Sequence, residues 1–404
     1  MQYDRIIIGA GAAGLFAAAN TAPGKKVLLL EKTDKIGQKL LLSGSGQCNL
    51  SHEKPMKEFL NHYGNKGKLV RPALFSFPNL ALMAQLEAQG FPLSVREDGK
   101  VFPKSFSAKD FLAHLETQLK KRGVDLRRNC PVTKITPLEK GFACKTPDGA
   151  FFAPNVLVCT GGASYPRTGS DGSFFACLEA LGLDITPLAP ALTPIFIEDY
   201  PFASLAGIAL QDISLGVSAV ADQKGLTFRG DVLFTHKNLS GPVILNNSRD
   251  INPGAMISLN YLPGQEEAHL RRALLQKSAG NARQISTVLE EYTALPSRFL
   301  ALLCERLEIP KEKKASQISG AEMAQVAKLL VHDQHRVEKR GDWKGAMVTQ
   351  GGLAWAEINP KTMESTRYPG LYFAGEVLDV DGDTGGYNLQ FAFSSAICAQ
   401  KAMT

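Results

Sequence analysis

No Cys-x-x-Cys pair occurs in this 404-residue chain, although it has seven cysteines, at positions 48, 130, 144, 159, 177, 304 and 398. An odd, scattered set excludes a zinc ribbon, a disulfide framework and a redox dithiol, and fits a reducing compartment. No stretch approaches the ~18 consecutive apolar residues of a membrane helix, so no membrane partner is expected. A leader pattern is missing as well: Asp4 and Arg5 run straight into Ile6-Ile7-Ile8, and the expected location is the cytoplasm. Internal repeats and low-complexity tracts are absent. Charge of one sign is scarce, 45 basic against 39 acidic residues giving +6. The short basic clusters Lys120-Lys121-Arg122 and Lys311 to Lys314 read as solvated helix ends, so no nucleic-acid partner is expected.

What the chain does have is glycine, 37 of them, and a profile that is 44% hydrophobic and 21% charged. That is an ordinary globular protein, too long for one core. Tyr3 to Ile8 is a short apolar run, followed by a glycine turn, an Ala-rich helical stretch to Thr21, a Pro23-Gly24 break and a second apolar run, Lys26 to Leu30. This is one βαβ unit. Helical patterns recur at 72–89 and at 108–122, the latter opened by Ser107 as a cap, and Val156 to Cys159 reads as a buried parallel strand. From about Pro187 the texture changes to short strands at 193–197, 215–220, 227–234 and 256–260, then to a charged helical stretch at 265–328. After Gly345 the glycine-rich β texture returns.

Three motifs carry chemistry. The first is Gly9-Ala10-Gly11-Ala12-Ala13-Gly14, set between strand and helix, with Glu31 ending the next strand about 20 residues on. Gly9 permits the tight turn, Gly11 lets backbone approach a pyrophosphate, and Gly14 lets helix and sheet pack closely. The helix N-terminus faces the phosphates and Glu31 a ribose diol. The second is the Gly/Ser-rich stretch Lys35 to Asn49, which suits close approach to a flat ring and favours FAD over NAD. The third is the run Gly370 to Gln390, strand, glycine turn and helix, whose helix near Tyr387 would aim its positive end at the flavin C2=O while Glu376 faces the ribityl chain. The acidic cluster 379–383 lacks the terminal Glu of a calcium loop, so no metal is expected.

Together these motifs resemble the glutathione-reductase-like FAD superfamily, and more narrowly the aminoacetone-oxidase/BaiN-like (YhiN-type) bacterial flavoproteins. The resemblance also rests on Ser164-Tyr165-Pro166 with Thr168-Gly169-Ser170, and on Leu233-Phe234-Thr235-His236 with Leu239-Ser240-Gly241-Pro242. It implies an α/β fold: a Rossmann-type FAD-binding domain of three layers (β-β-α), residues 1–188 and 346–404, interrupted by a β-barrel (189–264 and 334–345) and a small helical domain (265–333). The residues expected to contact non-covalent FAD are Gly9, Gly11, Ala12, Ala13, Gly14, Glu31 and Lys32 in the first βαβ unit. Gln38, Lys39, Ser43, Gly44, Gly46, Cys48 and Asn49 follow in the Gly/Ser-rich stretch. Val132, implied to lie where backbone meets adenine, and Thr160, Gly161 and Gly162 come next. Gly375, Glu376, Gly385, Gly386, Tyr387, Asn388 and Leu389 complete the set. Two departures stand out, since the family carries Arg or Lys where this chain has Gln38, and Arg where it has Gln47.

Candidates on the substrate side are Tyr165, His236 and Tyr387. Each has a structural alternative, for His236 a bond to the Ser240–Pro242 turn. The leading expectation is an FAD-dependent oxidoreductase that accepts hydride at flavin N5 from a small organic donor such as aminoacetone. A second is a flavin reductase of an enone-like substrate fed by NAD(P)H, which would dock transiently, since no second glycine-rich dinucleotide unit is present. A third is a non-catalytic FAD-binding or RNA-associated flavoprotein.

Overall fold

The computed structural model describes residues 2–218 and 225–403. The chain divides into two compact units, Met1–Ala191 with Trp343–Thr404, and Leu192–Asp342.

The first unit is built on a parallel sheet. Strand β1 (Arg5–Ile8) is buried at every position, as is β2 (Val27–Leu30), because helices and a second sheet cover both faces. Among the described residues the sheet has seven strands, in the order Ile358–Asn359, Glu364–Ser365, Leu371–Phe373, Asn155–Val158, β1, β2, Asp125–Arg127. The last five run parallel, with Ile8 level with both Val158 and Leu30. Helix α1 (Ala12–Ala19) joins β1 to β2 and packs with the helices Ala108–Arg122 and Tyr387–Ala402. Phe393 ties the three together, its ring 4.6 Å from that of Phe16 and 5.9 Å from that of Phe111. An antiparallel meander, Lys134–Leu138, Gly141–Thr146 and Gly149–Ala153, forms the remaining layer. The Ala108–Arg122 helix is capped by Ser107, whose Oγ accepts from Asp110 N–H at 3.2 Å. Lys120, Lys121 and Arg122 form its last turn, where they complement the helix dipole.

The single helix expected at 72–89 is two helices, Gly67–Ser76 and Asn79–Ala88. Pro78 has no N–H to continue the ladder and disfavours helical backbone at Phe77. The carbonyl freed at Phe77 accepts instead from Ser394 Oγ (2.7 Å) and Gln390 Nε2 (3.1 Å) of the C-terminal helix.

The second unit holds a closed barrel of six strands among the described residues: Ile195–Ile197, Leu239–Ser240, Leu226–Phe234, Ala209–Val217, Met256–Asn260 and Asp333–Arg340. The strand expected at 215–220 is the end of Ala209–Val217, and its positions 219 and 220 lie outside the described residues. Four α-helices, Glu267–Ser278, Ile285–Thr293, Ser297–Arg306 and Gly320–Val331, share one apolar core with the barrel, so that Ile213 and Leu259 are buried in the same cluster as Leu270, Leu300 and Met323. One polar knot lies in this unit. Asp333 at the start of its strand is 1% exposed and is held bidentately by Arg306 from the Ser297–Arg306 helix, both bonds 2.7 Å. Tyr261 Oη also donates to it at 2.6 Å. His335 Nε2 lies 3.0 Å away.

Candidate functional site

The glycines of the first motif differ in what they do. Gly9 has φ +98°, and a Cβ there would lie 2.5 Å from the Cys159 carbonyl oxygen. A Cβ on Gly14 would stand 1.9 Å from the Gly9 oxygen, so only glycine lets α1 sit against the turn. A Cβ on Gly11, by contrast, would meet nothing within 4 Å. The space the sequence assigns to a pyrophosphate is therefore open. Gly11 caps α1 without any side-chain hydrogen bond, leaving the first-turn N–H groups, Ala12 and Ala13 among them, for an anion.

Glu31 is 8% exposed and already oriented. Oε2 accepts from Ala10 N–H (2.8 Å), and Oε1 accepts from Thr33 N–H and Oγ1 (both 2.9 Å). A carboxylate accepts about four bonds, so Oε2 keeps a lone pair for a ribose hydroxyl. Gln38 donates to Thr33 Oγ1 at 3.2 Å, making it a support for Glu31 through Thr33. Lys32 pairs with Asp171 at 2.6 Å. Among the described residues Thr160 Oγ1 and Ser170 Oγ are buried without a hydrogen-bond partner, and the Gly169 turn approaches Thr33 and Lys32. Buried hydroxyls without partners are rare, and a bound polar group is the ordinary remedy. The open cradle at Gly11, the pre-set carboxylate and the orphaned hydroxyls fit the adenosine diphosphate half of FAD. Val132 lies half-buried beside this region, after Cys130, whose N–H donates to the Glu31 carbonyl at 2.9 Å.

The other half is built from both ends of the chain. Lys39 donates to Ser164 Oγ and to Glu376 Oε2, each at 2.6 Å, while Glu376 Oε1 accepts from Ser164 Oγ (2.9 Å) and Thr349 N–H (2.7 Å). Thr349 Oγ1 accepts from Ala163 N–H (2.8 Å), and a Cβ on Gly162 would collide with that hydroxyl at 2.3 Å. Further along, Ser43 Oγ donates to the Leu40 carbonyl, and Gly44 (φ +55°) and Gly46 (φ +86°) turn the chain. Asn49, with its amide nitrogen toward the Ser51 carbonyl (2.9 Å), accepts from Gly386 N–H at 3.1 Å. Ser51 Oγ donates to Gln390 Oε1 (2.6 Å), and a Cβ on Gly386 would lie 2.5 Å from the Ser51 oxygen. The Asn388 amide closes the glycine loop before the C-terminal helix, bonding Gly382 N–H and carbonyl at 2.8 Å each. Gly375 (φ +74°) donates its N–H to Ser395 Oγ, and Leu389 is half-buried.

A model of the HI0933-like protein Rossmann domain matches residues 3–402. The chain belongs to the HI0933-like family. It has the Rossmann-type FAD-binding fold with a barrel insertion, and it is an FAD-dependent oxidoreductase of that family. It is 31% identical over 99% of its length, and 98% of the relative's, to a ribosomal RNA dihydrouridine synthase of Escherichia coli (strain K12). It is 29% identical, over 98% of both chains, to a 3-dehydro-bile acid delta(4,6)-reductase of Clostridium scindens. Among solved structures, the 3-ketosteroid delta1-dehydrogenase of Sterolibacterium denitrificans shares the fold with a TM-score of 0.52, at 13% identity and over 100% and 99% of the two chains.

In this HI0933-like chain the three substrate-side candidates fall in different units, Tyr165 and Tyr387 in the first and His236 in the second. His236 is exposed at a tight loop of the second unit, where Thr235 Oγ1 and Tyr200 Oη bind the loop backbone. Among the described residues its ring forms no hydrogen bond to the Ser240–Pro242 turn, so that structural alternative is not what holds it. Tyr165 is half-buried with φ +54°, its N–H donating to the Trp343 carbonyl, and burial raises its hydroxyl pKa. Tyr387 is 3% exposed and its phenol is pushed up by burial and by Asp383 and Glu58, so it is a packing ring rather than a proton donor. Among the described residues no group of three or more His, Cys, Asp or Glu is arranged to hold a metal ion. In the acidic cluster Asp379 pairs with Lys66 and Asp383 with His62.

Cys48 is fully buried at φ +63°, its thiol pushed up to about 12 by burial. Cys144 likewise rises to about 12 and Cys304 to about 11, whereas Cys177 is half-buried. The thiolate is the reactive form. Burial raises the Cys177 thiol as well, but Cys177 alone of the seven is only half-buried, so iodoacetamide at pH 8 is expected to modify it first and Cys48 only once the protein unfolds. Peptide mass mapping over time checks the order.

Two side chains had no motif to announce them. Arg96 donates to Gln47 Oε1 at 2.6 Å and lies over the Phe102 ring at 4.2 Å, so a guanidinium stands beside the position where the resemblance has an arginine. His62 comes from a 3₁₀ turn, Leu60–Lys66, that carries no recognisable pattern.

Proposed function

We propose that this protein reduces a carbon–carbon double bond conjugated to a carbonyl, with a uracil ring of ribosomal RNA as the favoured substrate. The observation that carries this reading is the pair of near-full-length relatives. Their names describe one reaction class, saturation of a conjugated C=C, on two unrelated skeletons. The ribosomal RNA relative stands at 31% identity.

Gly9 to Gly14, Glu31, Thr160, Lys39, Glu376 and the N-terminus of the Tyr387–Ala402 helix would hold FAD, which when bound supplies hydride transfer at N5. The residues of the chain do the rest. The helix N-terminus places a partial positive charge where negative charge collects on the pyrimidine side of a reduced flavin. The Lys39–Glu376–Ser164 network is rigid and largely shielded from water, so it orients without needing to move. NAD(P)H is the proposed electron source, docking on the flavin directly.

The test is anaerobic. NADPH is expected to bleach the yellow protein, and ribosomal RNA from cells lacking the gene is expected to restore the colour and gain 2 Da at a uridine, read by nucleoside mass spectrometry. Colour restored by a small enone but not by RNA would keep the reaction class and move the substrate. Bleaching by aminoacetone, with peroxide formed in air and no mass gain on RNA, would establish the amine-oxidising reading instead.

A further inference from the structure

Saturating a conjugated double bond takes a hydride at one carbon and a proton at its neighbour, so the site needs an acid as well as a flavin. The groups already named are unsuited. Cys48 is sealed with its thiol at about 12, Tyr387 is buried, and Lys39 is tied to Glu376. His52 is buried, accepts from Lys54 N–H at its Nδ1, and has its pKa lowered by burial. His114 sits against Gln89 and Phe91 on the outer helices.

His62 is different. Its Nδ1 lies 2.9 Å from Asp383 Oδ2, and its backbone carbonyl accepts from Asp383 N–H, also at 2.9 Å. Its ring lies flat on Tyr387, 3.8 Å between centroids at 16°. The side chain is 25% exposed, and Nε2 makes no hydrogen bond among the described residues. The 3₁₀ turn that carries it is anchored to the C-terminal helix by Tyr63, whose hydroxyl donates to the Tyr387 carbonyl at 2.8 Å. Asp383 and Tyr387 belong to the loop and helix start, Gly382 to Tyr387, that would lie against the flavin if the Gly370–Gln390 motif holds it as proposed. A carboxylate on Nδ1 fixes the tautomer, supports the imidazolium and points Nε2–H outward, which is how a histidine is prepared for proton transfer. The charged and titratable groups around the stack are Asp383 and Tyr387 from the C-terminal segment, Glu58 just before the turn, Tyr63 within it, His52 from the short strand Ser51–His52, and Lys54 just after that strand.

We propose that His62, oriented by Asp383 and backed by the Tyr387 ring, is the proton donor to substrate in the oxidative half-reaction, the step in which the double bond is saturated. This rests on the C=C reduction proposed above. In that step the hydride carried by the NAD(P)H-reduced flavin adds to the β-carbon, the π pair takes the Nε2 proton of the His62 imidazolium at the α-carbon, and neutral His62 regains a proton from solvent.

The experiment separates the two half-reactions of the holoenzyme by stopped flow. His62→Phe keeps a flat ring for Tyr387 to stack on but has no proton to give. It is expected to retain FAD and to be bleached by NADPH at the wild-type rate, while reoxidation by a conjugated acceptor slows by on the order of 100-fold or more. Exogenous imidazole is expected to restore the acceptor step in His62→Ala, and Asp383→Asn to change the ring tautomer of labelled His62 read from its nitrogen shifts by NMR. An unchanged acceptor step in His62→Phe, failure of imidazole to rescue His62→Ala, or a His62 ring tautomer indifferent to Asp383→Asn overturns the proposal alone. Should the wild type reduce no conjugated acceptor, it is the reading of the reaction that falls, and the proposal with it.

Discussion

Gly14→Ala is expected to yield a protein that neither binds FAD nor keeps its first unit folded at 37 °C. The added methyl carbon would stand 1.9 Å from the Gly9 carbonyl oxygen and 3.3 Å from Cys159 Cβ. Neither neighbour can yield, because Gly9 N–H is bonded to Leu30 O at 2.8 Å and Cys159 N–H to Ile8 O at 2.8 Å. Relief requires α1 to lift off the sheet, unpacking Phe16 from Phe393 and exposing Leu15, both fully buried. Overpacking of this kind costs on the order of 3 kcal/mol or more. Gly11→Ala separates binding from folding. Its Cβ meets nothing, so the apoprotein should melt where the wild type does, within about 1 °C. The methyl group would nonetheless fill the approach to the pyrophosphate, and FAD affinity should fall by on the order of 100-fold. Differential scanning fluorimetry of the apoproteins, alongside flavin titration by fluorescence quenching, reads both effects. Equal damage from the two substitutions would contradict the assignment of roles.

Removing Arg306 is expected to be the most destabilising single change in the second unit. Arg306→Ala leaves Asp333, 1% exposed, without the bidentate partner that neutralises it. Breaking one side of such a pair costs roughly 3–5 kcal/mol, because the remaining charge stays buried. Arg306→Met with Asp333→Leu should recover much of that loss, as apolar replacement of a whole pair often does. The same pair sets an acid limit. Burial alone would raise the Asp333 carboxyl, but the hydrogen bonds and charges of Arg306 and His335 together outweigh it and hold the group at about 2. Its pKa is thus lower folded than unfolded, where a free aspartate titrates near ~3.9. The stabilisation is complete above about pH 4 and is lost as pH falls toward 2. Urea midpoints measured from pH 7 down to pH 2 should show a late acid step in the wild type that the double variant lacks.

The parts legible in the sequence were those ruled by local geometry. Gly9 to Gly14 between two apolar runs could be read because strand, turn and helix lie within one short segment, and each glycine has a steric reason visible in the spacing. Some barrel strands were legible from alternation and turns, as in Met256–Asn260, whereas Leu239–Ser240 and Asp333–Arg340 were not read as strands. What could not be read depends on contacts between distant segments. His62 meets Asp383 across 321 residues, and Lys39 meets Glu376 across 337. Nothing in Leu60–Lys66 distinguishes a proton donor from a surface histidine. Tyr387 looked available because it opens a helix, and only the rings of His52, Phe59 and His62 around it show that it is enclosed. The break at Pro78 was readable in principle, since the proline stands in the sequence, but apolar periodicity continued through it and masked the boundary.

The bonds that join Asn49 and Ser51 to Gly386 and Gln390 have a consequence for biosynthesis. The first βαβ unit leaves the ribosome early, yet the wall that Gly386 and Gln390 set against Asn49 and Ser51 is missing until residues 386–390 have been translated. Everything from Leu192 to Asp342 emerges and can compact in the meantime. A nascent chain arrested before Tyr387 therefore displays a nucleotide cradle that lacks this wall.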